Sequence, residues 1–131
     1  MSDYSSIRVL VIDDEPAICS SLSAFLEDYG FRASTAESAE EALELMKSNV
    51  YDVCIVDMRL PGMSGEDLII QARERYPEQR HIIYTGSISY NLSEKLKDLG
   101  MRPEHVFLKP VRVLSLLVKC VKQLAPEQNV K

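Results

Sequence analysis

The run Val53-Cys54-Ile55-Val56 stops on Asp57, and Pro61, Gly62 and Gly65 then break the chain into a turn. An apolar, mostly β-branched run of this kind reads as a strand buried on both faces. A carboxylate at the end of such a strand is costly to desolvate unless a cation meets it. Arg8-Val9-Leu10-Val11-Ile12 is a second such run, and Asp13, Asp14 and Glu15 follow it at once. His81-Ile82-Ile83-Tyr84 leads into Thr85, and the short Val106-Phe107-Leu108 leads into Lys109-Pro110. Strands that cannot face water on either side restrict the chain to sheets covered twice by helices.

Between these strands the apolar residues fall at helical spacing. Ile18, Leu22, Phe25, Leu26 and Tyr29 follow Pro16, which sits where a first helical turn begins, and Gly30 supplies the stop. Residues 31–36 read as a weak strand suited to a sheet edge. Ser38 caps a helix carrying Ala39, Ala42, Leu43 and Met46, with Glu41 at the capping-box position. Residues 65–76 form a helix that Pro77 ends, with Leu68, Ile69 and Ala72 inward. The spacing predicts a helix from Leu92 to Leu99 burying Leu92, Leu96 and Leu99, and a last helix from Arg112 to Leu124. Residues 125–131 read as a polar, frayed tail. Five strands alternating with five helices predict an α/β fold, a doubly wound parallel sheet in three layers. The expectation is one domain over 1–131, with its core at 7–124 and no output domain.

A chain of 131 residues is long enough to bury a core without staples. Its net charge of -5 lacks the basic balance of a nucleic-acid surface, so no nucleic-acid partner is expected. Three cysteines without CxxC spacing suggest reduced thiols and a cytoplasmic setting, with Cys54 as plain core. The polar start lacks the apolar segment of a signal peptide, and no run reaches membrane length, so no membrane partner is expected either.

In parallel sheets wound this way, ligands bind beyond the carboxyl ends of the strands. Asp13, Asp14, Asp57, Thr85 and Lys109 all fall there. Singly, each has a plain reading as a solvated turn, a helix cap or a local hydrogen bonder. Together they have a chemical one. If the first and third strands are neighbours, about 5 Å apart, three carboxylates crowd one crevice. Oxygen ligands in a small site suit a hard cation such as Mg²⁺. A third acid is then free as a nucleophile, with Lys109 and Thr85 the right types to hold phosphoryl oxygens.

The motifs VLVIDDE, VDMRLPGMSG, YTG and LKP together resemble those of the receiver domain of bacterial two-component response regulators, over residues 7–124. The resemblance implies a flavodoxin-like strand order 2-1-3-4-5. It implies that Asp57 accepts a phosphoryl group from a histidine kinase or phosphotransfer protein. Asp13, Asp14 and Asp57, with the backbone carbonyl of Arg59, are then the site for Mg²⁺, Mn²⁺ being an alternative ion. Thr85 and Lys109 are the hydroxyl and ammonium that hold and report the phosphoryl group, and the Lys109-Pro110 bond is cis. Such a domain is a signalling module rather than an enzyme, with only self-phosphorylation and dephosphorylation chemistry of its own.

One position departs from the family pattern. The aromatic usually found three residues before the lysine is Val106 here, and Phe107 comes one residue late, on the other side of its strand. In the last helix Leu114, Leu117, Val118, Val121 and Leu124 form one stripe, which Val113, Leu116 and Cys120 widen. Leu116 is therefore a candidate for the surface that docks an output partner or a second copy. Two rival readings fit the residues less well. A haloacid-dehalogenase-like phosphatase needs an acid where Arg59 stands and a cap insertion for which there is no room. A flavin carrier needs a Ser/Thr/Gly-rich phosphate loop where Asp13, Asp14 and Glu15 would repel phosphate.

Overall fold

Every residue of Val9–Ile12 and of Val53–Val56 is buried, as their unbroken apolar sequence requires. The structure is a computed structural model that describes residues 6–111 and 113–126. Strands β1 (Arg8–Ile12), β2 (Arg32–Ala36), β3 (Val53–Val56), β4 (Arg80–Thr85) and β5 (Val106–Leu108) form one parallel sheet in the order β2-β1-β3-β4-β5. The weak strand β2 lies at the edge. Helices α1 (Pro16–Asp28), α2 (Ala39–Met46), α3 (Gly65–Arg75), α4 (Glu94–Asp98) and α5 (Leu114–Leu124) connect and follow them. A 3₁₀ turn, Pro103–His105, precedes β5.

Alternation along the strands divides the core in two. Leu10, Ile12, Cys54, Val56 and Ile83 pack with α2, α3 and Leu96 of α4. Val9, Val11, Val53, Ile55, Ile82 and Tyr84 pack with α1 and α5 on the other face. Val106 joins the first cluster and Phe107 the second, so these two residues do lie on opposite sides of β5.

Gly65 determines how closely α3 approaches the end of β3. A Cβ there would lie 2.6 Å from the Asp57 carbonyl oxygen and 2.9 Å from Met58 Sδ. The first is backbone and cannot swing away. Gly65→Ala is therefore expected to cost about 1–3 kcal/mol through overpacking, read from urea denaturation midpoints. Unchanged stability would mean that α3 can retreat freely from the strand end.

Four sequence expectations need correction. The fourth helix begins at Glu94, because Ser93 takes the cap and accepts from the Leu96 amide at 3.3 Å. Of the three leucines assigned to it only Leu96 is buried; Leu92 and Leu99 lie outside the helix proper and are half-buried. The last helix begins at Leu114, its proposed start Arg112 lies outside the described residues, and Leu114 and Leu124 are only half-buried. Ala125 is not frayed: it packs into the second core cluster, and its amide donates to the Val121 carbonyl at 2.9 Å. The rest of the proposed tail, 127–131, lies outside the described residues. At α2 only half of the capping box forms, since Ser38 Oγ accepts from the Glu41 amide while the Glu41 carboxylate takes the Glu37 amide instead of that of Ser38.

Candidate functional site

Strands β1 and β3 are paired neighbours, so their terminal acids converge. Oxygens of Asp13, Asp14 and Asp57 lie within 4.8 Å of one another, with Asp13 and Asp57 buried and Asp14 exposed. The Asp57 amide donates to the Ile12 carbonyl at 2.9 Å, which seats the β3 end beside the β1 end. Asp13 Oδ1 accepts from the Glu15 amide, and Asp57 Oδ1 accepts from the Arg59 amide at 3.0 Å. One oxygen of each buried carboxylate is thus used locally, leaving the other turned to the crevice.

The cation comes from β5. Lys109 Nζ lies 2.6 Å from Asp13 Oδ2, 3.4 Å from Asp57 Oδ2 and 3.5 Å from Glu15 Oε1. Burial alone would lower the Lys109 ammonium, but its contacts with Asp13 and Asp57 outweigh that and hold it above the ordinary lysine range. Burial pushes the Asp57 carboxyl up, and Asp13 pushes the same way, against the Arg59 amide and Lys109. One ammonium does not balance three carboxylates. At 2.6 Å the Lys109–Asp13 contact is the closest of the three ion pairs, and it partners the buried Asp13 Oδ2.

Thr85 ends β4 on the same edge. Its carbonyl accepts from the Lys109 amide at 2.8 Å, and its buried hydroxyl accepts from the Ser87 amide at 3.2 Å. The Lys109-Pro110 bond is cis. The plain reading of Thr85 as a local hydrogen bonder therefore holds as well as its place in the site. Val106, Phe107 and Leu116 lie away from the carboxylates: the first two pack into the core, and Leu116 is 54% exposed.

Tyr84 is one residue of the site that sequence reasoning missed. Its ring lies beneath the Lys109 ammonium, 5.5 Å from Nζ, and its hydroxyl accepts from the Val111 amide at 3.4 Å. It anchors the loop that carries Lys109 from both ends. The available signal was the register, for a tyrosine one residue before Thr85 sits opposite Phe107, two residues before the lysine.

Residues 9–121 match the model of the response regulator receiver domain. The chain belongs to this family. The receiver is 32% identical over 121 residues to the alginate biosynthesis transcriptional regulatory protein AlgB of Pseudomonas aeruginosa, covering 92% of this chain and 26% of AlgB. It is 28% identical over 113 residues to the cell cycle response regulator CtrA of Brucella ovis, covering 86% of this chain and 48% of CtrA. It therefore spans about a quarter to a half of these curated relatives. Among solved structures it is similar to the response regulator TrrA of Thermotoga maritima in complex with Mg²⁺-BeF, with 30% identity, a TM-score of 0.76, and 90% of this chain and 98% of that one covered. The chemotaxis response regulator CheY4 of Vibrio cholerae gives a TM-score of 0.75 at 26% identity, over 90% of this chain and 98% of that one. The phosphatase alternative finds no support, since the residue two beyond Asp57 is Arg59, whose backbone serves Asp57 and whose side chain is no acid. No helix among the described residues is long and apolar enough to cross a membrane.

Proposed function

We propose that this receiver takes a phosphoryl group onto Asp57 from a phosphohistidine of a histidine kinase or phosphotransfer protein, in the cytoplasm, as a signalling module and not as an enzyme. The observation that carries this reading is the buried Asp57 carboxylate, with one oxygen held by the Arg59 amide and the other 3.4 Å from Lys109. Asp57 Oδ2 attacks phosphorus, a P–O bond forms as the P–N bond breaks, and the imidazole nitrogen leaves with the electron pair. Lys109 and the Thr85 hydroxyl then receive the oxygens of the acyl phosphate. Labelled transfer from a panel of histidine kinases tests this, the expected product being a hydroxylamine-sensitive acyl phosphate. Absence of label from every donor, with the protein folded, would overturn it.

The donor set fits a hard divalent cation. Three carboxylates lie within reach of one ion, all of their donor atoms are hard oxygens, and one lysine leaves the cluster negative. Asp13, Asp14, Asp57 and the Arg59 carbonyl are the proposed ligands of Mg²⁺ or Mn²⁺. When bound, the ion supplies charge neutralisation for the incoming phosphoryl oxygens. At ten times its dissociation constant Mg²⁺ is expected to stabilise the fold by about 1.4 kcal/mol, a rise of roughly 5 °C in Tm. Asp14 has no ion pair or hydrogen bond among the described residues, so Asp14→Asn removes repulsion without removing a contact. It is expected to melt higher than wild type without metal and to respond less to Mg²⁺. A wild-type Tm indifferent to millimolar Mg²⁺ would count against the ligand set.

The output reading rests on α5. Leu116 and Val113, 54% and 52% exposed, carry its apolar arc into solvent, whereas Cys120 is buried and stays core. This supports α5 as part of the face that an output partner or a second copy docks against. Thr85 is the reading's sensor, with Val106 in place of a ring that turns.

A further inference from the structure

Two cavities flank the β4–α4 segment. One, of about 440 Å³, lies at the Thr85 side of the site, where Met58 and Arg59 follow Asp57, and is lined by Arg59, Ser64, Glu66, Thr85, Ser87 and Tyr90 among others. The other, of about 350 Å³, is the groove between α4 and β5, lined among others by Tyr90, Leu92, Lys97, Pro103, Val106 and Leu108. Tyr90 is the residue that lines both. Its ring packs on the first core cluster, as do Leu92 and Val106, and Val106 lines the groove with it. Its hydroxyl is buried and finds no hydrogen-bond partner among the described residues. A buried hydroxyl left unpaired is costly and calls for an explanation. The site cavity holds Ser64, Ser87, Arg59 and Glu66, any of which could serve it, and the groove wall offers Leu92, Val106 and Leu108, which cannot.

The segment bearing Tyr90 also hangs from the site. Thr85 Oγ1 accepts from the Ser87 amide at 3.2 Å, and the Ser87 carbonyl accepts from the Tyr90 amide at 3.3 Å. Two bonds thus connect the Thr85 hydroxyl to the backbone of Tyr90. An oxyanion that draws the Thr85 hydroxyl toward Asp57 slackens the first of them. Helix α4, five residues long and beginning four residues after Tyr90, has little of its own to hold it against such a change.

We propose that Tyr90 is the positioning residue that couples oxyanion binding at Asp57 to the shape of the α4–β5 groove, its ring leaving the groove wall as its hydroxyl gains a partner in the site cavity. The proposal rests on Asp57 being the phosphoacceptor. It gives the receiver a route from site to surface that needs no aromatic at Val106. The coupling element has two arrangements distinguished by one hydrogen bond, and bound oxyanion biases them.

The test uses the full chain labelled with 3-fluorotyrosine, and Mg²⁺ with beryllofluoride as the acyl-phosphate mimic. The Tyr90 fluorine resonance is assigned by its loss in Tyr90→Phe. In wild type, beryllofluoride is expected to shift that resonance, the amides of Asp57 and Thr85, and the groove amides of Leu92, Val106 and Leu108. In Tyr90→Leu the site amides should respond as before while the groove response falls about fivefold or more. Tyr90→Phe, which keeps the ring and its packing, should lose part of the groove response because the hydroxyl no longer drives the exchange. Groove shifts of wild-type size in both variants, or a Tyr90 resonance that stays put while the site amides move, would overturn the coupling and leave the phosphoacceptor reading intact. No site shift in wild type would overturn both.

Discussion

Asp57→Asn is expected to abolish phosphoryl acceptance, by at least about a thousandfold, while leaving the protein folded. The substitution is nearly isosteric. A side-chain carbonyl oxygen can still accept from the Arg59 amide, and Lys109 keeps its closer partner, Asp13, at 2.6 Å. What is lost is the anionic oxygen, and a carboxamide does not attack phosphorus. Removing one of three crowded carboxylates also relieves repulsion, so the variant should melt no lower than wild type. This separates a chemical defect from a folding defect. The competing acceptors are Asp13 and Asp14. Asp13 is 1% exposed and paired with Lys109, and Asp14 is exposed, with no hydrogen bond or ion pair among the described residues to orient it. Stoichiometric label on Asp57→Asn would show that one of these is the acceptor and that the arrangement around Asp57 serves another end.

The fold was legible where burial alone dictates structure. Unbroken runs such as Val53–Val56 have one solution, a strand covered on both faces, and Pro16, Gly30 and Pro77 mark helix ends by backbone restrictions that act locally. The short helix α4 was less legible, because Leu92 and Leu99 carry helical spacing but pack from flanking backbone. Capping by Ser93, a single hydrogen bond, decided the boundary. The carboxylate cluster was legible because every member sits at a strand terminus, and strand termini are fixed by the same burial that makes the strands. Tyr84 and Tyr90 were not legible. Nothing in periodicity says that a tyrosine in β4 will place its ring under an ammonium held by β5, or that a loop tyrosine will bury an unpaired hydroxyl. Those outcomes depend on register and loop path, which are tertiary.

Lowering the pH from 7 to 5 is expected to destabilise the receiver by about 2 kcal/mol through His81 alone. His81 is the second residue of β4, at the sheet end opposite the carboxylates; it is 2% exposed and pairs its Nε2 with Gln79 Oε1 at 2.9 Å, while Nδ1 finds no partner among the described residues. Burial lowers its pKa to about 3, and the guanidiniums of Arg73 on α3 and Arg80 on β4 push the same way. His105, which with His81, Arg73 and Arg80 lines a small cavity at this end of the sheet, is also lowered, chiefly by burial. A histidine in the unfolded chain titrates near 6.5, so the unfolded state binds the proton first as the pH falls. The stability is therefore complete above about 6.5 and declines by about 1.4 kcal/mol per pH unit below it. Over the whole window down to about 3 the loss approaches about 5 kcal/mol, comparable to the entire stability of a small domain. Asp57 acts in the opposite sense, because a raised carboxyl takes up its proton more readily in the folded state. Comparison with His81→Phe cancels that contribution and every other shared one. Urea midpoints at pH 7 and pH 5 for both proteins give the two losses, and the variant should lose about 2 kcal/mol less. The Gln79 carbonyl left unpaired in the variant costs the same at both pH values and drops out. Equal losses in the two proteins would mean that the imidazole reaches water or a counter-charge when protonated, and that the two arginines do not keep it neutral.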